Sequence, residues 1–288
     1  MLIVQSTDSF SESFKTPALS FRLKGEILNR NRTAVPIFRY WREDTFMSTR
    51  GAYLMLSISY FIGGGSLVAF AVFLSIGSCN LVGLGLDENS VLLFDAGLSL
   101  LFFIQHSFMI RRSFRRRMVR FIPEEYYSAL YAVVSGMVLL AVIVLWQESD
   151  RTFAIFQGVS RWVFRSMYLA ALAGFVWGTR ALKFFDPFGI RQIMNRVRGK
   201  KTGQMPFTVR GPYRWVRHPL YFFVLLMIWS CPDLTMDRLL FNVLWTTWIA
   251  VGALLEERDL VADFGDQYIE YQKKVPMLIP YKLRPALP

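Results

Sequence analysis

"YYSALYAVVSGMVLLAVIVLW", residues 126–146, contains no charged side chain. At ~1.5 Å of rise per residue, about 20 residues cross the ~30 Å hydrocarbon core of a bilayer. A helix on the surface of a soluble protein is apolar along one stripe, whereas this one is apolar all round. Two further blocks reach the same length, "AYLMLSISYFIGGGSLVAFAVFLSIG" (52–77) and "VLLFDAGLSLLFFIQHSFMI" (91–110). A fourth, "WVFRSMYLAALAGFVWGTRALKFF" (162–185), carries arginines near its ends, and shorter blocks follow at 218–231 and 239–255. The composition agrees, at 53% hydrophobic and 16% aromatic residues with a mean hydropathy of +0.33. The fold class these features predict is all-α: a polytopic integral-membrane helical bundle of about six transmembrane helices. Residues 1–46 lack the apolar stretch of a secretory signal and read as a polar, disordered tail.

A net charge of +12 invites a nucleic-acid reading, and the placement of the charge argues against it. Of 33 Lys and Arg residues, 29 fall in segments 1–50, 111–120, 180–217 and 256–288. With six crossings and both termini cytosolic, all four segments lie on the cytosolic side, as the positive-inside rule requires. The intervening turns "SCNLVGLGLDENS", "QESDR" and "SCPDLTMDR" lean acidic. The arginine-rich "RRSFRRRMVR" is then a topology determinant that also meets anionic membrane lipid, rather than a nucleic-acid patch. This places the protein in the inner, cytoplasmic membrane. Gly63–Gly65 lie inside an apolar block, where small residues allow close helix packing. Cys79 and Cys231 are expected to be two ordinary buried thiols. Two histidines and two cysteines, far apart along the chain, offer no metal-ligand cluster.

The chain after the fourth block differs in character. Residues 186–217 form a connector rich in Gly, Pro and Arg without evident helical periodicity, expected to be an ordered surface loop. "RHPLY" (217–221) then stands where the basic connector becomes apolar. Beyond the hairpin, Leu260, Phe264, Tyr268 and Tyr271 share one face of an amphipathic helix, weakened at Gly265 and ended by Pro276. A short helical hairpin brings Glu256 and Glu257 back toward Arg217, His218 and Tyr221. Arginines and tyrosines gather at membrane interfaces in any case. Two adjacent glutamates at the foot of a span cost desolvation and have no structural partner legible in the sequence. A ligand carrying ammonium and hydroxyl groups would account for the acids, and a ligand carboxylate for the arginine.

"RHPLY", followed at 256–280 by "EERDLVADFGDQYIEYQKKVPMLIP", resembles the C-terminal signature of the isoprenylcysteine carboxyl methyltransferase superfamily, which takes in phospholipid methyltransferases and NnrU-like proteins. "QHSFM" (105–109), "DPFGIRQ" (186–192), "MPFTVRGPYRWVRHPLY" (205–221) and "WSCPDLT" (229–235) resemble its bacterial methanethiol S-methyltransferase subgroup. The resemblance runs from about residue 50 to 280. It implies an S-adenosylmethionine pocket facing the cytosol, contacted by His218, Tyr221, Glu256 and Glu257 with Arg217 beside them. The chain is expected to divide into residues 1–46 as tail, 47–185 as a four-helix membrane region, and 186–288 as connector, hairpin and tail, which by the resemblance form the cofactor site. One departure is Phe223, where the superfamily often has a glycine that lets backbone approach a ligand.

Transfer of a methyl group from a sulfonium to a thiolate destroys charge, so a dry site disfavours the separated ions more than the transition state. Positioning at near-attack distance supplies much of the rest. A thiol with a pKa near ~8.5 must lose its proton, and His218, Arg217 and His106 are the candidate catalytic residues. Gln105 and His106 lie about 7–8 Å inside the arginine-rich end of their helix as candidate substrate-cavity residues. The plainer reading of His106 is an imidazole satisfied by a neighbouring helix. Asp95 reads as an interfacial acid. The bulk of Phe222, Phe223 and Trp229 suits a small acceptor better than a prenyl chain. The expected function is methyl transfer to a small thiol, with a phospholipid or isoprenylcysteine-like acceptor, a non-catalytic membrane protein and a transporter as the alternatives. Reporter fusions test the topology: those at Arg116 and Asn195 should both report the cytosol, and an external signal at either removes the six-span arrangement.

Overall fold

The helices follow from where apolar runs end and side chains can cap them. The computed structural model describes residues 48–183, 185–200 and 207–282; the polar tail of 1–46 lies outside the described residues. In chain order they are α1 (Thr49–Ile76), α2 (Glu88–Ile110), α3 (Arg112–Met118), α4 (Glu124–Leu145) and α5 (Gly158–Ala181), then α6 (Ile190–Val197), α7 (Pro219–Ile228), α8 (Met236–Phe264) and α9 (Asp266–Lys274). Ser48 caps α1 by accepting from Gly51 N at 3.3 Å, and Asp87 caps α2 by accepting from Ser90 N at 3.4 Å. Two short strands, β1 (Thr152–Ile155) and β2 (Asp233–Thr235), pair antiparallel with Thr152 opposite Thr235 and join the two turns at one end of the bundle.

Helices α1, α2, α4 and α8 are long and apolar enough to cross a membrane. Six such helices were expected. The difference lies in α5, which carries Arg161, Arg165 and Arg180, and in α7, which runs for only 10 residues. The first two arginines are engaged at the strand end. Arg161 grips Asp233 through two bonds of 2.8 and 2.7 Å, and Arg165 donates to Ser75 at the end of α1.

The largest core cluster among the described residues is drawn from six helices, running from Phe73, Trp146 and Phe241 near the strands to Phe102, Phe103 and Trp245 deeper in. Rings stack along it: Trp245 lies 4.7 Å from Phe241 and 5.1 Å from Phe102, and Phe103 lies 4.7 Å from Trp248. At the strand end, buried Asp237 accepts from Trp146 Nε1 and Ser149 N, both at 3.0 Å. Its neighbour Arg238 donates to Phe73 O and Leu74 O, closing the end of α1. Asp95, expected to be an interfacial acid, is engaged within the protein. It is fully buried and accepts from Gln147 N at 3.1 Å, tying α2 to the turn after α4. Cys231 is buried as expected, but Cys79 is exposed because it lies past the end of α1.

Small residues set the helix spacing. Gly63 faces Ala132 and the Phe188 ring, and Gly136 faces the backbone of Ile62 and Gly63, so α1 and α4 approach closely where the glycine run predicts it. A second pair, Gly174 and Gly178 in "GFVWG", lets α5 receive Phe223 and Leu220 of α7. A Cβ at Gly178 would lie 2.6 Å from Leu220 Cδ2, and one at Gly174 would run into the Phe223 ring. Gly174→Ala should therefore cost about 1–3 kcal/mol by overpacking, with partial recovery in the Gly174→Ala, Phe223→Ala double variant. Gly97→Ala, where a Cβ meets nothing within 4 Å, should be neutral or stabilising. Thermal unfolding in detergent distinguishes the three.

Candidate functional site

The segment entering α7 is a 3₁₀ turn, Gly211–Arg214, followed by Arg217 and His218. It is pinned by the chain's own end: Arg217 N donates to Pro276 O at 2.9 Å and His218 N to Met277 O at 3.0 Å. The residues after α9 therefore lie against "RHPLY", and α9 is pulled across the foot of α8. Gly265 makes this possible with φ +54°, breaking the helix between Phe264 and Asp266. Leu260, Phe264, Tyr268 and Tyr271 still pack as one cluster with Phe207, Val209 and Val275.

Glu257 is the convergence point. Its Oε1 accepts from Arg217 Nε at 3.0 Å, His218 Nε2 at 2.7 Å and Tyr268 OH at 2.7 Å. Its Oε2 meets Arg217 Nη2 at 2.8 Å and accepts from Gln272 Nε2 at 2.6 Å. Arg217 spends its remaining arm on Gln272 O at 3.0 Å and Val275 O at 2.5 Å. Glu257 thus does have structural partners, and they come from both α9 and "RHPLY". Beside it, Glu256 Oε2 accepts from Tyr221 OH at 2.5 Å, and the Tyr221 ring stacks on His218 at 5.3 Å and 9°.

Burial pushes the Tyr268 phenol well above its ordinary range, and the bond to Glu257 adds to this. Burial raises Tyr271 as well, against the opposing pull of the Arg217 guanidinium, and raises Tyr213, helped by Glu256. All three phenols stay protonated and act as donors; Tyr271 gives its hydrogen to Tyr213 O at 2.5 Å. With His218 Nε2 directed at a carboxylate, that nitrogen carries the hydrogen in the neutral ring and Nδ1 keeps a lone pair. His218 is 1% exposed, and its Nδ1 and the Tyr213 hydroxyl are enclosed without a hydrogen-bond partner among the described residues. The site thus presents an acceptor and a donor to a ligand.

Gln105 and His106 stand together on α2, facing α4. Gln105 Nε2 donates to Ser135 Oγ at 3.2 Å, and the Tyr131 hydroxyl lies 2.8 Å from His106 Nε2. A neighbouring helix therefore does satisfy the imidazole. Phe223 points away from the Glu256–Glu257 cluster, its ring resting on Gly174. Trp229 is 41% exposed and donates to Thr246 Oγ1 at 3.0 Å. The rings that fill the bundle are instead Phe102, Phe103, Trp245 and Trp248. The connector is partly helical: Asp186 caps α6 by accepting from Ile190 N and Arg191 N, both at 2.8 Å, after a left-handed Gly189. "DPFG" was the signal for that cap, readable from an Asx residue before a turn. Tyr131, Tyr213 and Gln272 were not anticipated; nothing in their local sequence separates them from ordinary interfacial residues.

The family model described as NnrU protein matches residues 94–259, a span that contains all seven candidate residues. A methanethiol S-methyltransferase of Pseudomonas sp. (strain GM41(2012)) is 37% identical over 203 residues, covering 69% of this chain and 76% of the relative. One from Crocosphaera subtropica is 34% identical over 193 residues, covering 67% and 76%. Nurim of Sus scrofa is 26% identical over 190 residues, covering 61% and 71%. No solved structure matches the chain.

Removing the charge of Glu257 leaves the partly buried Arg217 without its counter-ion and turns an acceptor into a donor facing Gln272. Glu257→Gln should lower stability by about 3 kcal/mol. Tyr221→Phe, which deletes one hydrogen bond, should cost about 1 kcal/mol. Thermal unfolding in detergent ranks them, and equal effects would show that the carboxylate does not organise the site.

Proposed function

The chain belongs to the NnrU protein family, and we propose that it is an S-adenosylmethionine-dependent methyltransferase of the membrane that methylates a small thiol, converting methanethiol to dimethyl sulfide. The observation that carries this reading is the identity of 33–37% with relatives named methanethiol S-methyltransferase. The clustering of Arg217, His218, Tyr221, Glu256 and Glu257 supports it from a separate direction. Together they make a buried polar site at the foot of a membrane-length helix.

The residues present fit the cofactor. His218 Nδ1 and the Tyr213 hydroxyl offer enclosed hydrogen-bonding atoms to a ligand rich in hydroxyl and amino groups. Glu256, held by Tyr221, places negative charge where a cationic ligand is favoured. Glu257 acts one step back, aiming Arg217 and His218. When bound, S-adenosylmethionine supplies a methyl group on a positively charged sulfur. Gln105 and His106 receive the thiol from the bundle interior. Phe102, Phe103, Trp245 and Trp248 occupy that interior, which suits an acceptor of a few heavy atoms rather than a prenyl chain. In the membrane, α5 and α7 complete six crossings with both termini cytosolic, and α9 lies along the cytosolic interface of the cytoplasmic membrane.

Headspace gas chromatography of cells expressing the gene and fed methanethiol tests the reaction. Dimethyl sulfide should appear with the intact gene and fall by at least about tenfold with His218→Ala, a change of about 1.4 kcal/mol. Labelled methyl groups arriving in lipid instead would identify a phospholipid acceptor. No cofactor binding by calorimetry would leave a non-catalytic protein or a transporter.

A further inference from the structure

Glycine is disfavoured inside a helix relative to alanine, so a glycine kept there calls for a reason. In α4 and α5 the reason is a packed neighbour: a Cβ at Gly136 would lie 3.0 Å from Ile62 O, and one at Gly178 would lie 2.6 Å from Leu220 Cδ2. Gly252 of α8 differs, because a Cβ there would meet nothing within 4 Å among the described residues. Gly65 and Gly97 share that freedom, but both are exposed. Gly252 is half-buried and sits beside fully enclosed Ala253. Its open space therefore lies against the bundle, with no packing neighbour to account for it.

Helix geometry locates that space. Trp248 and Glu256 stand four residues before and after Gly252, on the same side of α8 and about one turn away in each direction. Trp248 closes the aromatic enclosure of His106, its ring centroid 5.3 Å from the imidazole, and its Nε1 donates to Ser107 Oγ at 3.2 Å. Glu256 belongs to the cofactor end, where it accepts from Tyr221 OH at 2.5 Å beside His218. The same side of α8 is tied to its neighbours on both sides of the gap. Trp248 holds it to Ser107 of α2, and Asp263 holds it to Arg112 of α3 at 2.5 Å. These two contacts fix the spacing of the helices across Gly252.

We propose that Gly252 is the specificity-determining residue for the methyl acceptor: the space over it is where a thiol held at Gln105 and His106 reaches the cofactor end, and its width limits the carbon chain that can follow. The proposal rests on the thiol reading above and names what sets acceptor size within it. Methyl transfer requires the reacting atoms to stand about 3–3.5 Å apart, so the boundary between the two halves of the site must be clear of side chains. Trp248 and Glu256 flank that boundary with held side chains, and the residue between them on the same side of α8 has none. A methyl group added at position 252 would meet no protein atom within 4 Å. Its effect would therefore fall on the small molecule that enters the space.

Gly252→Ala in the full-length protein in detergent tests this with three readouts. The thermal unfolding midpoint should not fall, since alanine favours the helix and its Cβ meets nothing. S-adenosylmethionine affinity, read by calorimetry, should stay within about threefold of the wild type. Along hydrogen sulfide, methanethiol and ethanethiol, kcat/KM should fall more steeply than in the wild type, by roughly tenfold for each added carbon. Gly252→Leu, which fills the space, should lower methanethiol turnover by at least about 10²-fold. The proposal is overturned if Gly252→Ala slows all three thiols by one factor, or if Gly252→Leu folds and keeps wild-type turnover of methanethiol. A loss of cofactor affinity as large as the loss of turnover would assign the space to the methyl donor and overturn it equally. A lowered unfolding midpoint in Gly252→Ala would make the glycine a packing residue, with the same result. A wild type that binds S-adenosylmethionine but methylates no thiol overturns the thiol reading and this proposal with it. Methanethiol turnover with an acceptor profile unmoved by Gly252→Ala overturns this proposal alone.

Discussion

A carboxylate at the foot of an apolar helix costs several kcal/mol in desolvation unless charge and hydrogen bonds surround it. Glu257 meets that condition with donors from Arg217, His218, Tyr268 and Gln272. Two of these precede α7 and two lie on α9, so satisfying one side chain forces three separate segments together. Arg217 extends the same logic by bonding the carbonyls of Gln272 and Val275, where helix α9 ends. The ring of His218, the stacking of Tyr221 and the placement of Glu256 all follow from this one neutralisation.

The remainder of the bundle supplies rigidity by a different means. Lipid tails are as apolar as leucine, so helices in a membrane associate through close fit rather than through exclusion of water. Here the fit comes from Gly174 and Gly178 beneath Phe223 and Leu220, and from Gly63 against Ala132 near Gly136. Stacked rings from Phe241 through Trp245 to Phe102 fill the centre. The polar atoms of Gln105, His106 and Tyr131 are thereby held between stiff walls.

Much of this was legible in the residues. The uncharged run at 126–146 and the blocks at 52–77 and 91–110 became α4, α1 and α2, because length and hydropathy leave such segments little choice in a bilayer. The hairpin that returns Glu256 and Glu257 to "RHPLY" was also readable, from the motif pair and the short span between. Other features were not. That Glu257 is engaged by the chain itself depends on α9 folding back at Gly265, a tertiary event without local signature. Phe223 suggested a crowded ligand contact, whereas its ring faces the next helix, and only the glycine at position 174 on α5 reveals why. The Tyr131–His106 pair joins residues 25 apart on different helices, each unremarkable in its own run.

The position of the Gly265 break has a further meaning. Tyr268, Gln272 and the carbonyl of Val275 all lie beyond it, outside the membrane-length helices. Until α9 turns back at Gly265, Arg217 and Glu257 have only each other and His218, and the charge at the foot of α8 remains half-solvated. Every membrane-length helix can therefore be in place while the site is still unformed. Docking of α9 is therefore what completes the polar site, and a chain with α9 detached keeps its bundle while holding an incompletely bonded ion pair at the foot of α8.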